Sequence, residues 1–315
     1  MKLQQLRALL AVTEAESFSE AALDLGVAQS SLSYAVAELE RELGVKLLQR
    51  GRFGAEPTEV GAKVAAHARG VVKLTDVIQQ EADLSKGEVR GTLNVATFRS
   101  AAGKIIPRAI ALLRRDYPEL NVRFLEVDNE GPGSNEKRQM LRDHRADIAF
   151  VESAEDDGLL AWELMRDPYR ALLHTSDPRT VFAWSDLPRT SLILSDCNTC
   201  GNHVQKYAHD LSMSLEPAYS VQGDSTVVRL VSERLGVGIL PEFAIDELPQ
   251  NVKVVPLDRL LERVIYVAIA PSSLKVPAVR VFFGVLKTQF PDSDLPRLEV
   301  RSAPLRNEEV ERVST

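Results

Sequence analysis

Ser17-Phe18-Ser19-Glu20-Ala21-Ala22 is followed after a short gap by Gln29-Ser30-Ser31-Leu32-Ser33-Tyr34. Two segments at that separation, with Gly26 between them, have the spacing of a helix-turn-helix. In such a unit the first helix props the second, and the second sets its N-terminal polar residues against base edges and phosphates in the major groove of DNA. Ser17 with Glu20 three residues later fits a capping box. Ala21, Ala22 and Leu25 then offer small and apolar faces for close helix approach before Gly26, whose tolerance of positive φ suits a tight stop. Upstream, Leu3, Leu6, Leu9, Leu10 and Thr13 recur near helical period and predict a packing helix ending around Ala15.

From Ser30 the pattern splits. Leu32, Val36, Leu39 and Leu43 share one helix face, expected to be core, while Ser30, Ser33, Tyr34 and Ala37 share another that is free for DNA. Gln29 suits a bidentate bond to an adenine edge, Ser30 and Ser33 suit bases or phosphates, and Tyr34 offers a hydroxyl plus apolar contact. The competing reading is an ordinary polar surface on a bundle helix. Gly44 to Arg50 ends the helix, and the glycines and proline of Gly51 to Thr58 predict a short hairpin, or wing, from which Arg50 and Arg52 reach the backbone or minor groove. The expected DNA-contacting set is Gln29, Ser30, Ser33, Tyr34, Arg50, Arg52 and Thr58.

A chain of 315 residues, 44% hydrophobic and 26% charged, is enough for two to three domains with real cores. No apolar run approaches the ~18 residues of a membrane span, and Met1 to Gln5 leads into a helical pattern rather than a signal peptide. The expectation is a cytoplasmic protein with no membrane partner. A net charge of −7 argues against holding nucleic acid by a broad basic field, but Lys46, Arg50 and Arg52 are bunched just after the second helix. That predicts a modest, focused contact with double-stranded DNA that needs two copies to bind tightly.

Between Thr58 and Leu84 there is no proline, and Val60, Val64, Ala68, Val71, Ile78 and Ala82 mark an apolar stripe at helical spacing. The small N-terminal unit cannot bury a stripe that long, so a second chain is the natural cover, with docking onto the chain's own C-terminal region as the alternative.

After a short hinge at 85–91, strand and helix patterns alternate: Thr92 to Thr97, Ile105 to Tyr117, Asn121 to Val127, Lys137 to His144 and Ala146 to Val151. The rhythm repeats at Ser191 to Leu194, Gly201 to Ser212, Ala218 to Val221, Thr226 to Glu233 and Val237 to Pro241. This predicts an open, mostly parallel α/β sheet in two similar lobes. Ligands in such lobes sit beyond the carboxyl ends of strands, near helix N-termini. The candidates there are Thr97, Phe98, Arg99, Ser100, Asp128 and Asn129 in the first lobe. In the second they are Asn198, Thr199, Asn202, Asp224, Ser225 and Thr226. Arg99 suits a carboxylate or phosphate, or is an exposed loop arginine; Ser100, Thr199 and Ser225 are alternatively helix caps. The only cysteines, Cys197 and Cys200, form Cys-x-x-Cys in the proposed cleft wall, with His203 and His209 beyond. Packing cysteines, a redox pair and a metal site are all open, although four ligands from one short helical stretch strain tetrahedral geometry. No metal or cofactor is expected.

Ser-Phe-Ser-x-Ala-Ala, Gln29 with Ser33, Leu39-Glu40, Leu43-Gly44, Arg50, Thr58 and Gly61 together resemble the winged helix-turn-helix of LysR-type transcriptional regulators. Two positions depart from the pattern: Ala28 stands where a capping Ser or Thr is common, and Leu48 where Phe is usual. Gly236 to Pro241, and Leu93 to Val127 with Pro107 and Tyr117-Pro118, extend the resemblance to about residues 1–290. It implies an α/β chain with an all-α winged helix-turn-helix N-terminal domain at 1–58, a linker and dimerisation helix at 59–86 and a two-lobed, periplasmic-binding-protein-like effector domain at 87–292. Lobe I is expected at about 91–160 and 266–292, lobe II at about 161–265, and a flexible tail at 293–315. It further implies a homodimer or homotetramer on a pseudo-palindromic operator, a small-molecule effector in the cleft, and RNA polymerase as a partner. Peroxide-sensing members of the family use paired cysteines in this lobe at a wider spacing, so thiol sensing through Cys197 and Cys200 is the second reading. An enzyme with an appended DNA-binding unit is a weaker one, since the chain has no Gly-rich phosphate loop and no nucleophile elbow.

Overall fold

The computed structural model describes residues 1–51, 54–127, 135–195 and 200–298. Three helices, α1 (Leu3–Ala15), α2 (Phe18–Asp24) and α3 (Gln29–Leu43), pack around Leu6, Leu9, Val12, Ala21, Ala22, Leu32, Val36 and Leu39. Ser17 Oγ accepts the Glu20 amide at 3.4 Å at the start of α2, and Gly26 stops it with φ +64°. A hairpin of β1 (Leu48–Gly51) and β2 (Gly54–Pro57) follows, with Leu48 opposite Pro57. Leu43, expected in the core, is 41% exposed. It ends α3 beside Gly44, whose φ of 71° turns the chain away, and the buried position one turn earlier is taken by Glu40.

Helix α4 (Glu59–Leu84) begins at Thr58, whose Oγ accepts the Gly61 amide at 2.9 Å. The stripe expected along it divides between two faces. Ala65 and Ala68 are buried against the N-terminal core, while Gln80, Asp83 and Leu84 are buried toward the C-terminal region. Val60, Val71 and Ile78 are exposed in the single chain, together with Leu74. Docking onto the chain's own C-terminal region therefore uses one side of the helix and leaves Val71, Leu74 and Ile78 open on the other.

Among the described residues nine strands form one sheet: β3 (Gly91–Thr97), β4 (Leu120–Glu126), β5 (Ile148–Val151), β6 (Leu160–His174), β7 (Leu192–Ser195), β8 (Tyr219–Val221), β9 (Val237–Pro241), β10 (Val252–Pro256) and β11 (Glu262–Ile269). Their order is β4-β3-β5-β11-β6-β9-β7-β8, with β10 also on β6. The expected parallel pairing holds only at the two ends, where β3 pairs with β4 and β5, and β7 with β8 and β9. The middle is antiparallel. The cause is β6, which runs 15 residues: Leu160 to Pro168 pairs with β11, and Tyr169 to Leu172 with β9. One strand thus belongs to both lobes, and β11 returns beside it.

Helices α5 (Arg99–Lys104), α6 (Ile106–Asp116), α7 (Glu136–Arg142), α8 (Cys200–Asp210), α9 (Asp224–Ser232) and α10 (Pro277–Gln289) cover the sheet. The helix expected from Ile105 to Tyr117 is α6, opened by Pro107, whose missing N–H costs nothing in a first turn, and a separate short helix, α5, precedes it. The start of the expected tail is packed: Ser293 and Leu295 are buried, and the Asp294 amide donates to Glu163 O at 2.8 Å. Residues 299–315 lie outside the described residues. No helix among the described residues is long and apolar enough to cross a membrane.

Candidate nucleic-acid interface and effector cleft

Gln29 and Ser30 are exposed in the first turn of α3, Tyr34 is 68% exposed one turn on, and Ser33 is half-buried between them. The turn has no side-chain cap, since Ala28 holds the N-cap position, and the Ser31 amide donates to Ala28 O at 3.0 Å. At the other end Glu40, only 7% exposed, accepts the amides of Leu47 at 2.9 Å and Leu48 at 3.2 Å and binds Lys46 Nζ at 2.7 Å. Burial disfavours its charge, but the bonds from Lys46, Leu47 and Leu48 outweigh that and hold the carboxyl below its ordinary pKa. The carboxylate ties the end of α3 to the first strand of the wing.

The wing is pinned a second time at its far strand. Ala55 N donates to Glu16 O at 2.7 Å, and a Cβ on Gly54 would sit 2.2 Å from that same oxygen. Thr58 Oγ donates to Lys46 O at 2.8 Å while capping α4, which spends the hydroxyl on the scaffold. Gly61 is needed there because a Cβ would meet Leu47 O at 1.8 Å. The structure thus brings Gln29, Ser30, Ser33 and Tyr34 onto one face and sets Thr58 behind it. The side chain of Arg50 and all of Arg52 lie outside the described residues.

Between the lobes lies a cavity of about 390 Å³ lined by Arg99, Ser100, Gly103, Gln222, Gly223, Asp224, Ser225, Phe243, Ala244 and Asp246. Arg99, Ser100 and Ser225 of the expected set are on its wall, with Arg99 paired to Glu126 at 3.6 Å. Thr226 is exposed beside it, and Asn202 is half-buried in the first turn of α8. Thr97 is fully buried at the end of β3, its hydroxyl directed to Phe98 O at 3.2 Å, so it shapes the wall from behind. Asp128, Asn129, Cys197, Asn198, Thr199 and the side chain of Cys200 lie outside the described residues.

The residue that organises the boundary between lobes was missed in the sequence. Arg263, on β11, has a side chain 2% exposed; its Nε donates to Asp167 at 2.9 Å, Nη1 to Glu152 at 2.7 Å and Nη2 to Ser100 Oγ at 2.9 Å. Its guanidinium lies 5.1 Å from the Phe98 ring centroid. Asp167 also accepts the Phe243 amide at 2.8 Å, from the second-lobe side. Burial pushes the Asp167 carboxyl up, with Arg263 and the Phe243 amide pulling the other way. Within the second lobe, His203 Nδ1 meets Tyr169 OH at 3.1 Å, and burial holds the imidazole below its ordinary pKa, favouring the neutral ring. The signal for Arg263 was in its phase, since it falls in register with Ile265, Val267 and Ile269, the buried side of an alternating strand.

Two family models match the chain: residues 3–62 fit the bacterial regulatory helix-turn-helix protein, lysR family, and residues 86–291 fit the LysR substrate binding domain. The chain is 40% identical over 294 residues to the probable HTH-type transcriptional regulator LrrA of Synechococcus elongatus, covering 93% of this chain and 98% of that one. It is 28% identical over 248 residues to a probable hydrogen peroxide-inducible genes activator of Mycobacterium avium, covering 76% and 78%. Among solved structures, a full-length OxyR variant from Pseudomonas aeruginosa shares the fold with a TM-score of 0.73 at 23% identity, over 91% of this chain and 95% of that one. Full-length CbnR in complex with its target DNA does so with a TM-score of 0.63 at 18% identity, over 91% and 99%.

Proposed function

The chain belongs to the LysR family of transcriptional regulators, and on that premise we propose that Gln29, Ser30, Ser33 and Tyr34 read operator DNA while Arg50 and Arg52 of the wing contact its backbone or minor groove. The observation that carries this reading is the exposed, uncapped first turn of α3, braced behind by Glu40 and Thr58. Two copies pair through Val71, Leu74 and Ile78 of α4, an apolar face too long for a solvent-facing helix of one chain. The pair reads a pseudo-palindromic operator, each α3 in one half-site.

A small-molecule effector occupies the cleft walled by Arg99, Ser100 and Ser225, with Asn202 and Thr226 nearby, and Asp128, Asn198 and Thr199 are proposed to bind it as well. It controls DNA binding to the extent that it prefers one arrangement of the lobes over the other. The protein acts on transcription through contact with RNA polymerase and has no catalytic role of its own. The second reading keeps the fold and makes Cys197 and Cys200 the sensor; relatives named as peroxide-inducible activators favour testing it.

Binding of the full-length protein to its own upstream DNA, followed by fluorescence anisotropy, tests the first claim. Ser33→Ala and Tyr34→Ala are expected to weaken binding with melting temperature unchanged; binding equal to wild type in both removes α3 from the interface. The same titration with reduced and oxidised protein separates the sensors. A redox response absent from Cys197→Ser/Cys200→Ser assigns sensing to the thiols, and equal behaviour discards it.

A further inference from the structure

A lysine bridges the two walls of the inter-lobe cavity. From the first lobe, α5 supplies Arg99, Ser100 and Gly103 to the wall; from the second, the segment through the short helical turn Glu242–Ala244 supplies Phe243, Ala244 and Asp246. Lys104 follows Gly103 and ends α5, and its ammonium crosses to the other lobe. Nζ donates to Ile245 O at 2.5 Å, between the cavity-lining Ala244 and Asp246. It stands 3.8 Å from the Asp246 carboxylate and 5.4 Å from the centroid of the Phe243 ring. Phe243 itself packs against the hydrophobic cluster that holds Phe98, Ala101 and Ile105 of the first lobe, and its amide donates to Asp167. A bond from an ammonium to a carbonyl is stronger than one between neutral groups, and the ring face adds to it. The Lys104 side chain is 30% exposed, so water screens these contacts only in part, whereas the Asp246 carboxylate, 87% exposed, contributes little. The chain crosses between the lobes along β6 and pairs back along β11. Strands at such a crossover act as a hinge unless the cleft itself is held.

We propose that Lys104 is a positioning residue of the effector cleft, a strut that ties α5 to Phe243 and Ile245 and sets the width of the cavity before an effector arrives. This rests on reading the inter-lobe cavity as the effector site. With the strut in place the ligand-free lobes move as one body, and an effector meets a preformed cleft rather than one it must close, which keeps the ordering cost of binding small. Removing the amine leaves the strands of the crossover intact and frees the cleft side, so wider arrangements of the lobes gain population.

The test is the distance between the lobes of the full-length protein, read by double electron–electron resonance. Spin labels are placed at the exposed positions Glu119→Cys in the first lobe and Asp210→Cys in the second, in a Cys197→Ser/Cys200→Ser background. Labelled chains are diluted with unlabelled ones, so that only distances within one chain are read. Four proteins are compared at position 104 and its partner: the native lysine, Lys104→Met, Lys104→Arg and Asp246→Asn. The native lysine is expected to give one narrow distribution. Lys104→Met keeps the apolar stem without the donor, and is expected to move the main distance by ~2 Å or more and to broaden it. Lys104→Arg retains a charged donor and is expected to restore the narrow distribution, and Asp246→Asn to leave it unchanged. A purely local packing role for Lys104 does not move a distance measured between remote surfaces of the two lobes. Superimposable distributions for lysine and methionine would therefore overturn the strut, as would Lys104→Arg displaced as far as Lys104→Met. A displacement in Asp246→Asn equal to that in Lys104→Met would overturn the assignment to the Ile245 carbonyl. The reading of the cavity as the effector site fails by a different route, an absence of ligand binding there, and leaves these distances as they are.

Discussion

Glu40 and Ala28 mark the two ends of α3, and each sets a separate property of the DNA-reading helix. Glu40 fixes where the helix points relative to the wing, through one carboxylate that accepts two backbone amides and one ammonium. Glu40→Gln keeps the shape and removes the charge. It is expected to cost about 1–3 kcal/mol, read as a lower denaturation midpoint, and to weaken DNA binding because the wing loses its register. Since the Glu40 carboxyl is held below its ordinary value, its contribution is present above the unfolded-state pKa and lost as pH falls through the lower folded one. The wild-type advantage over Glu40→Gln therefore narrows in acid. Ala28 leaves the first turn uncapped with extended φ and ψ of −69° and 136°, which a serine adopts equally well. Ala28→Ser is expected to stabilise the domain by about 0.5–2 kcal/mol, measured by chemical denaturation. A null result would mean the hydroxyl does not reach the amides of the first turn.

The elements differ in how plainly the sequence announces them. Helices α1, α3 and α4 were legible because their apolar residues repeat at helical period against a polar remainder, and Ser17, Gly26, Gly44 and Thr58 punctuate them. Strand β6 was not, because its residues change partners from β11 to β9 and β10, so its pattern follows no single buried face. The two-lobe plan was legible in the parallel strands at each end of the sheet, while the antiparallel middle was not. That Arg99, Ser100 and Ser225 line the inter-lobe cavity was legible because they follow or precede strands and helices whose patterns are clear; Arg263 was passed over because a lone charge in an alternating strand reads as a surface residue.

Helix α4 carries two more predictions. Ile78→Asp puts a charge on the open apolar face, 71% exposed in one chain, and is expected to convert the proposed dimer to monomers in sedimentation velocity; an unchanged oligomer would put the interface elsewhere. The opposite side of α4 is docked on lobe I by the Lys73 to Asp147 ion pair at 2.8 Å and by Gly70, where a Cβ would sit 2.9 Å from His144 Nε2. Burial lowers the His144 pKa, with Asp147 and Asp143 opposing and Lys73 and His67 adding to the shift. A histidine with a depressed folded pKa costs stability as pH falls below its unfolded value of about 6.5 and stops costing more below the folded one. Hydrogen exchange along α4 should therefore quicken as pH is lowered through that window, after correction for intrinsic rates, and much less so in His144→Gln. Equal behaviour of the two proteins would remove His144 from the dock.

On the scale of the whole molecule, the lobes meet at one buried cation. Removing Arg263 while leaving Asp167 and Glu152 in place strands two buried carboxylates, so Arg263→Met is expected to cost about 3–5 kcal/mol and to loosen one lobe against the other. The same strands carry a link outward: Asp147, just before β5, accepts the Asn94 amide of β3 at 2.8 Å and pairs with Lys73 of α4, while the carboxyl ends of β3 and β5 lead to Ser100 and Glu152. Two rigid strands thus join the cleft to the helix that carries the DNA-reading unit. The chain carries a net charge of −7, and among the described basic residues of the N-terminal unit Arg41 and Lys46 are paired with Glu38 and Glu40, which supports the proposal that DNA is held by two small, spaced contacts. A hydroxyl-radical footprint of the full-length protein on its upstream DNA measures this directly. Two protected patches on one face, centred about one helical turn or a whole number of turns apart, are predicted, both lost in Tyr34→Ala and reduced to one weak patch in Ile78→Asp. A single patch that survives both substitutions would contradict the account.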